Sequence, residues 1–454
     1  MSRIACLLGV CLVGCETASE PGALEATGSL AAAMPTVLEI TWSGAAEGAA
    51  IYAEWGSDDT YGQRVRLGAG REGAGVLVGL HPNAKVHWRV ATDEGATSTD
   101  ATVEAGSAPV DLPELSVSNV GDTTGGLVLT STLDGVEGYA VAYDHEGFPV
   151  WWVASGEEGP FTDVYPSPDG RGVIYQTTDP KLIEDIANVT FRAWNGEVIS
   201  TTRTPNGHHD FVVLPDGSYG FCMIDVREAE IAGETFTVVG DAIGEIPAGG
   251  DPETDVRTVW SSWDAFTMRA TPAADTHFYP FGLDWTHCNG LAYEPEVGKY
   301  LVSMYELGSV TQVDAATGTT DWILGGEDGT LSIPAGETFN VAHSPEPVAG
   351  GLRLFNNRAT EETPPHSRVL EYQIDEAAGS AALVESIALN GEYFSFILGD
   401  SNALPDEHLL VSWGSLGMLT ELDADREVVW QGELPLGQVV GFTSDVQVPG
   451  QAPE

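Results

Sequence analysis

The chain has 454 residues, with 18 basic against 68 acidic side chains and a formal net charge of -50. That length exceeds what one hydrophobic core usually serves, so two or more domains are expected. An apolar content of 43% excludes a disordered acidic tail protein, and the charge balance excludes nucleic acid as a partner, because approach to a phosphate backbone is repulsive.

Met1–Cys15 opens with one positive charge at Arg3, followed by an apolar run from Ile4 to Val13 and then Gly14 and Cys15. The run is too short to span a bilayer and has the anatomy of an export signal over 1–14. Leu12-Val13-Gly14-Cys15 resembles the lipobox of bacterial lipoproteins, which implies cleavage before Cys15 and lipid attached to it. An ordinary secretory signal that happens to contain a cysteine is the alternative. A lipidated Cys15 would tether the protein to a membrane of the cell envelope, on its periplasmic or cell-surface side. Only Cys222 and Cys288 lie beyond that point; pairing in an oxidising compartment and two buried free thiols both stay open.

Residues 15–34 are rich in Ala, Gly, Ser and Glu without apolar periodicity and read as a tether. From 35 to 109 come short alternating segments, such as Val37 to Trp42, Ala50 to Trp55 and Val86 to Val90, separated by Gly and Asp turns. They predict a small β-sandwich. Leu80-His81-Pro82 ahead of Val86 to Val90 resembles a fibronectin type III domain, which implies a spacer or docking module.

From about Leu115 the sequence repeats. A turn followed by a strand ending in Trp appears from Asp144 to Trp151, Asp314 to Trp322 and Asp423 to Trp430. A Pro/Gly turn followed by an apolar strand begins at Pro168, Pro215, Pro295, Pro347 and Pro405. A period of about 50 residues built from strands and tight turns predicts a β-propeller over 115–448, and its length gives six blades, the sixth closed by the first and last segments. One interval is longer, and the aromatic stretch from Arg227 to Phe281 reads as an insertion: a lid over the central funnel or a subunit contact. The fold class is therefore all-β, a six-bladed propeller preceded by a sandwich.

Innermost propeller strands line the axis, so equivalent positions from different blades meet there. Aligned on the turn glycines, Asp163, Asp210 and His343 share one position, with His208 and His209 just ahead of Asp210 and His287 in the blade between. Three consecutive blades thus place imidazole at nearly one station, although the chain has only 10 histidines.

The same segments carry a resemblance. Gly207 to Phe211, Asp284 to Gly290, Asp314 to Gly326, and His343 with Leu354 to Asn357 are similar, in order, to bacterial arylsulfate sulfotransferases. The resemblance implies a propeller enzyme that moves a sulfuryl group from an aryl sulfate donor to a phenolic acceptor through a sulfated histidine, without a cofactor. By motif, His343 corresponds to the nucleophile, His287 to a holder of the sulfuryl oxygens within Asp-x-x-His-x-Asn, and His209, or else His208, to the third histidine. Tyr305 stands where the family carries an arginine, and Arg358, directly after Asn357, is the best substitute for it, with Arg203 and Arg353 behind. Asn289 belongs to the same stretch, and Trp285 is a candidate grip on a phenyl ring. Sulfuryl transfer spreads charge over three equatorial oxygens, so it needs an in-line nucleophile and positive donors; neutral and protonated imidazoles supply both. Two other readings remain open: three converging histidines as a zinc set in a hydrolase, and a non-catalytic binding protein that keeps the scaffold.

Overall fold

The computed structural model describes residues 23–446 apart from 119–120, 135–136, 157–158, 180, 183, 269–277, 358–364 and 390–392. Cys15 and Arg358 therefore lie outside the described residues. No helix among the described residues is long and apolar enough to cross a membrane.

Alternating apolar positions build the N-terminal unit. Leu38–Ser43 turns Leu38, Ile40 and Trp42 inward, and Lys85–Thr92 does the same with Val86, Trp88 and Val90. Two sheets, of three and four strands, enclose this core. The unit begins earlier than its composition suggests. Residues 25–30, expected within the tether, form the edge strand Glu25–Leu30, paired antiparallel with Leu38–Ser43. The small residues that look like linker are needed there: a Cβ on Gly28 would sit 2.7 Å from the Trp88 indole. Leu24 completes the sandwich core, while Ala31 and Met34 pack against propeller residues.

Among the described residues six further sheets, antiparallel except where Leu283–Asp284 runs parallel beside Glu234–Ile246, form a propeller. Their innermost strands are Val439–Val446, Phe161–Pro166, Gly207–Val213, Cys288–Glu294, Ala342–Val348 and Asp400–Ala403. Each touches the next, and the last touches the first, so the ring closes. Closure is double. The C-terminal Val439–Val446 pairs with Leu127–Asp134 in the first blade, and the early Ser116–Ser118 adds to Val428–Glu433 of the last. The repeated Asp-to-Trp turns serve adhesion between blades. Asp144 and Asp423 each accept two backbone N–H groups of their own turn. Trp151 then donates to the Trp194 carbonyl of the next blade, and Trp430 to the His145 carbonyl across the closure.

The stretch expected to be an insertion divides differently. Residues 227–246 continue an extended hairpin of the third blade, Tyr219–Ile231 with Glu234–Ile246. Its two-residue turn, Ala232-Gly233, has positive φ at both positions (54° and 88°), the geometry that fits strand twist. Trp260 lies in the fourth strand, Arg257–Ser261, and Trp263 in the short helix Ser262–Ala265. The chain departs from the blade pattern only beyond that helix.

The sandwich packs on the first two blades through Ala31, Met34, Val37 and Val78 against Trp151, Trp152 and Trp194. Thr36 donates to the Val150 carbonyl. His81 stacks on Phe148 at 4.3 Å and reaches Asp144 Oδ2 at 2.6 Å. The hydrogen bond to Asp144 raises the His81 pKa above its ordinary value, against an opposing effect of burial. A raised pKa means the contribution is complete below the unfolded value, about 6.5, and is lost as pH rises through the folded one. Thermal unfolding of wild type and His81→Gln should therefore differ most below about pH 6.5 and converge as rising pH strips the proton from the folded histidine; a difference that widens with pH would contradict this contact's role.

Candidate active site

The innermost strands are irregular where they enter the axis. Register breaks between Gly207 and Phe211, between Cys288 and Gly290, and between His343 and Glu346. At the same level non-glycine residues adopt the left-handed region: His209 (φ 55°), His287 (55°), Ser344 (43°) and Leu398 (57°). Such conformations cost roughly 1–3 kcal/mol each and cluster where function requires an aimed side chain. The bulges turn imidazoles toward one another. His209 and His287 have ring centroids 4.7 Å apart, Tyr305 lies 5.5 Å from His287, and His343 lies 6.2 Å from Tyr305.

Each imidazole is held by a different partner. Asn357 donates its amide to the carbonyls of Ser395 and Leu398, which leaves Oδ1 facing His343 Nδ1 at 2.5 Å. Nδ1 must therefore carry the proton, and Nε2 keeps its lone pair. Burial, slightly reinforced by the charge of His287 and opposed by the Asn357 hydrogen bond, lowers the His343 pKa to about 4, so this ring is neutral at pH 7. His287 is the opposite case. Burial works against its charge, but Asp284, 2.5 Å from Nδ1, together with the charges of Asp284, Asp241 and Glu306, raises its pKa overall. His209 is half-buried among His287, His208, His343 and Lys181, and desolvation first, then those charges, push its pKa well down.

His208 is not at the axis. Its Nε2 lies 3.0 Å from Asp241 Oδ1 and its Nδ1 lies 2.7 Å from His209 Nδ1, so it stands behind His209. Burial pushes Asp241 up, yet His208 and Thr286 bring it below the ordinary carboxylate value. Asp241 also accepts the Cys288 N–H at 2.9 Å.

Asn289 is fully buried, its Oδ1 taking the Ser303 hydroxyl at 2.6 Å while its Nδ2 has no partner, leaving a buried donor in reserve. Trp285 does not reach the histidines as a grip; it packs 4.7 Å from Trp263 in the apolar cluster with Cys222, Trp260 and Met304. Alternation explains this, since residues two apart on an extended segment can point alike but the turn at His287 reverses the sense. Arg203 is paired with Asp185 on the surface, and Arg353 lies opposite Glu346.

One residue beside the site, Lys181, escaped the sequence reading, whereas Phe278 belongs to the aromatic stretch read as a lid whose rings could grip a phenyl group. Phe278 lies 4.7 Å from His287 and 6.0 Å from His209, so the segment after the third blade does reach over the histidines. Lys181 places Nζ 3.5 Å from the Phe278 ring centroid, and its charge is felt at His209. It is one of three lysines in the chain, which was the available signal.

A belt of buried carboxyls continues from the histidines along the inner strands. Tyr165 contacts both Asp163 and Asp210 at 3.0 and 3.1 Å. Burial first, then mutual repulsion, raises Asp163, and burial also raises Asp210 and Asp400. Glu346 is pushed up to about 8, chiefly by burial. Asp210 and Asp400 staple neighbouring blades, accepting N–H groups of Leu291 and Thr443 respectively. Among the described residues no group of three or more His, Cys, Asp or Glu side chains is arranged to hold a metal ion.

Cys222 and Cys288 form a disulfide, joining the third blade to the residue after His287. The constraint reaches the site through that peptide. Reduction, or Cys222→Ser, should lower thermal stability and weaken any His287-dependent activity, since closing a loop of 66 residues stabilises by about 4 kcal/mol in a chain-entropy account. Unchanged melting and activity after complete reduction, verified by thiol titration, would oppose that coupling.

No curated protein matches the chain. Among solved structures, a Bacteroides caccae protein of unknown function shares 12% identity at TM-score 0.45, over 71% of this chain and 99% of its own. The β-propeller domain of Cps50 (Swd1) from Myceliophteria thermophila shares 11% at 0.42, over 72% and 98%. The periplasmic gluconolactonase PpgL of Pseudomonas aeruginosa shares 12% at 0.38, over 72% and 100%. The sequence model of arylsulfotransferase (ASST) matches residues 116–439, nearly the whole propeller, and with its histidines gathered at the axis of that match, the chain belongs to the arylsulfotransferase family.

Proposed function

We propose that the protein transfers a sulfuryl group from an aryl sulfate to a phenol, with His343 as the nucleophile. The observation that carries this reading is the pairing of opposite protonation states: a neutral His343 with an open Nε2, and a His287 held toward its charged form by Asp284. His343 Nε2 attacks sulfur, the N–S bond forms and the S–O bond to the aryl group breaks. The leaving phenolate takes a proton from His287 Nε2, leaving that ring neutral. The acceptor phenol then gives its proton to His287 as its oxygen attacks sulfur, the S–N bond breaks and both imidazoles return to their starting states. His287, the Asn289 amide and Lys181 stabilise the charge on the sulfuryl oxygens. The metal-hydrolase alternative has no ligand set among the described residues.

With p-nitrophenyl sulfate and phenol, nitrophenol release should require the acceptor for turnover, and mass spectrometry should find a sulfuryl adduct on His343. His343→Ala should lose at least about 10³-fold in kcat/KM. The pH profile should rise through about 4, as His343 becomes neutral, and fall at some pH above about 6.5, as His287 loses its proton. Acceptor-independent release lost on chelation would favour the metal reading, and silence in every condition the non-catalytic one.

The same proposal places the enzyme on a membrane through lipid on Cys15, with the N-terminal sandwich as a fibronectin type III-like spacer docked on the propeller. The apolar run before Gly14-Cys15 supports the anchor. Radiolabelled palmitate should enter the wild type and not Cys15→Ser; equal labelling would remove the anchor.

A further inference from the structure

A cavity of about 120 Å³ opens beside His209, walled mainly by Phe161, Leu398 and Phe442, with Ser131 and Gly441. An apolar cavity of about 150 Å³ suffices to hold benzene, so the space is of the order of one aromatic ring. Its position is not incidental. Leu398, one wall, gives its carbonyl to Asn357, the residue that fixes the His343 tautomer. His209, another wall, lies against His287. A ring seated there therefore touches the supports of the histidine cluster on two sides.

The cavity exists because the closing strand is irregular. Register breaks between Val440 and Thr443, leaving Gly441 and Phe442 out of step opposite Ser131. A Cβ at Gly441 would lie 2.0 Å from Ser131 Oγ, so glycine is needed for the serine to stand there. The Ser131 hydroxyl is itself buried, at 1% exposure, and has no hydrogen-bond partner. A buried hydroxyl without a partner costs free energy unless something supplies one, and the remaining walls are mainly apolar, with Thr162, Thr178 and His209 as the other polar residues.

From this juxtaposition we infer that the cavity is the aryl subsite, selecting single-ring phenols that carry a hydrogen-bonding group para to the reacting oxygen, with Ser131 as the para-group contact and Phe442 as the limit on ring size. The inference rests on the sulfotransfer reading for its purpose, and its binding test does not. A phenol would place its oxygen toward the histidines and its ring between Phe161, Leu398 and Phe442. Two fused rings would meet Phe442.

Equilibrium binding can be read without turnover, in a His343→Ala background, from displacement of 4-fluorophenol followed by fluorine NMR. Phenol, 4-nitrophenol and 2-naphthol are the competitors. Ser131→Ala should reduce the preference for 4-nitrophenol over phenol about fivefold, the worth of one hydrogen bond. Phe442→Ala should raise 2-naphthol relative to phenol about tenfold. Ser131→Ala removes only an unpartnered hydroxyl, so it keeps the test decisive should Phe442→Ala fail to fold. Absence of displaceable 4-fluorophenol, or a Ser131→Ala preference within twofold of the parent, overturns the subsite. Binding ratios that shift as stated in a protein that transfers no sulfuryl group sink the sulfotransfer reading and leave the subsite standing. Transfer that proceeds with unshifted ratios sinks the subsite alone.

Discussion

Four successive inner strands enter the axis through a left-handed non-glycine residue, at His209, His287, Ser344 and Leu398, and the site depends on that repeated bend. A regular strand would alternate its side chains across the two faces of its own blade. The bend and the adjoining bulge instead turn one residue per blade toward the axis, where blades meet. Such backbone is unfavourable by itself and persists only when its surroundings over-determine it. Here they do: the ring is closed by strands from both ends of the chain, aspartates staple adjacent inner strands, and a disulfide fixes the peptide after His287. Rigidity far from the histidines and precision at them are the same property.

Charge poses the second problem, because an anionic substrate must enter a protein of net charge -50. Burial answers much of it. The buried carboxyls of the inner strands, Asp163, Asp210, Glu346 and Asp400, are all displaced toward their protonated forms by desolvation, with repulsion from neighbouring carboxylates added for Asp163 and Glu346. Of these, Glu346, pushed up to about 8, is the one displaced far enough to be neutral at pH 7, and desolvation biases the others the same way. Asp241 is held toward its charged form by His208, and Asp284, although burial raises its pKa, is paired with His287. The exposed acids act across water and salt, where fields fall off within about 10 Å. What a bound sulfate would meet at close range is therefore set by His287, Lys181 and buried donors, not by the sum over the surface.

The propeller was legible in the sequence because its turns repeat chemically: an aspartate that caps its own turn and a tryptophan that reaches the next blade recur at Trp151 and Trp430. The histidine station was legible for the same reason, by alignment on turn glycines. What could not be read was direction. His208 and His209 are neighbours of one type, and only the bulge decides that His209 faces His287 while His208 turns to Asp241. Trp285, open in the sequence between a phenyl grip and core packing, lies in the apolar cluster beside Trp263. Lys181 and Leu398 sit on connections without periodicity, so nothing in their spacing marks them, whereas Phe278 was marked by its aromatic neighbours. The strand at residues 25–30 was hidden by composition, since its glycine and serine mimic a tether and its pairing is decided by Trp88 across the sandwich.

Tyr305 gains its meaning from these arrangements. An arginine at that position would be a permanent charge, since a guanidinium does not titrate in the working range of proteins. A tyrosine between His287 and His343 offers one hydroxyl donor and no charge, so the positive contribution shifts to an imidazole whose protonation depends on Asp284 and on pH. Under the proposed mechanism the neutral His343 benefits from that shift. A guanidinium beside it would depress its basicity further than the single charge of His287 already does, and a less basic imidazole is a weaker nucleophile. Under that mechanism, a tyrosine in that place would move the balance of the site from fixed stabilisation of the anion toward a more basic nucleophile and a titratable partner, and the partner carrying the charge would be the one exchanging a proton with the phenols.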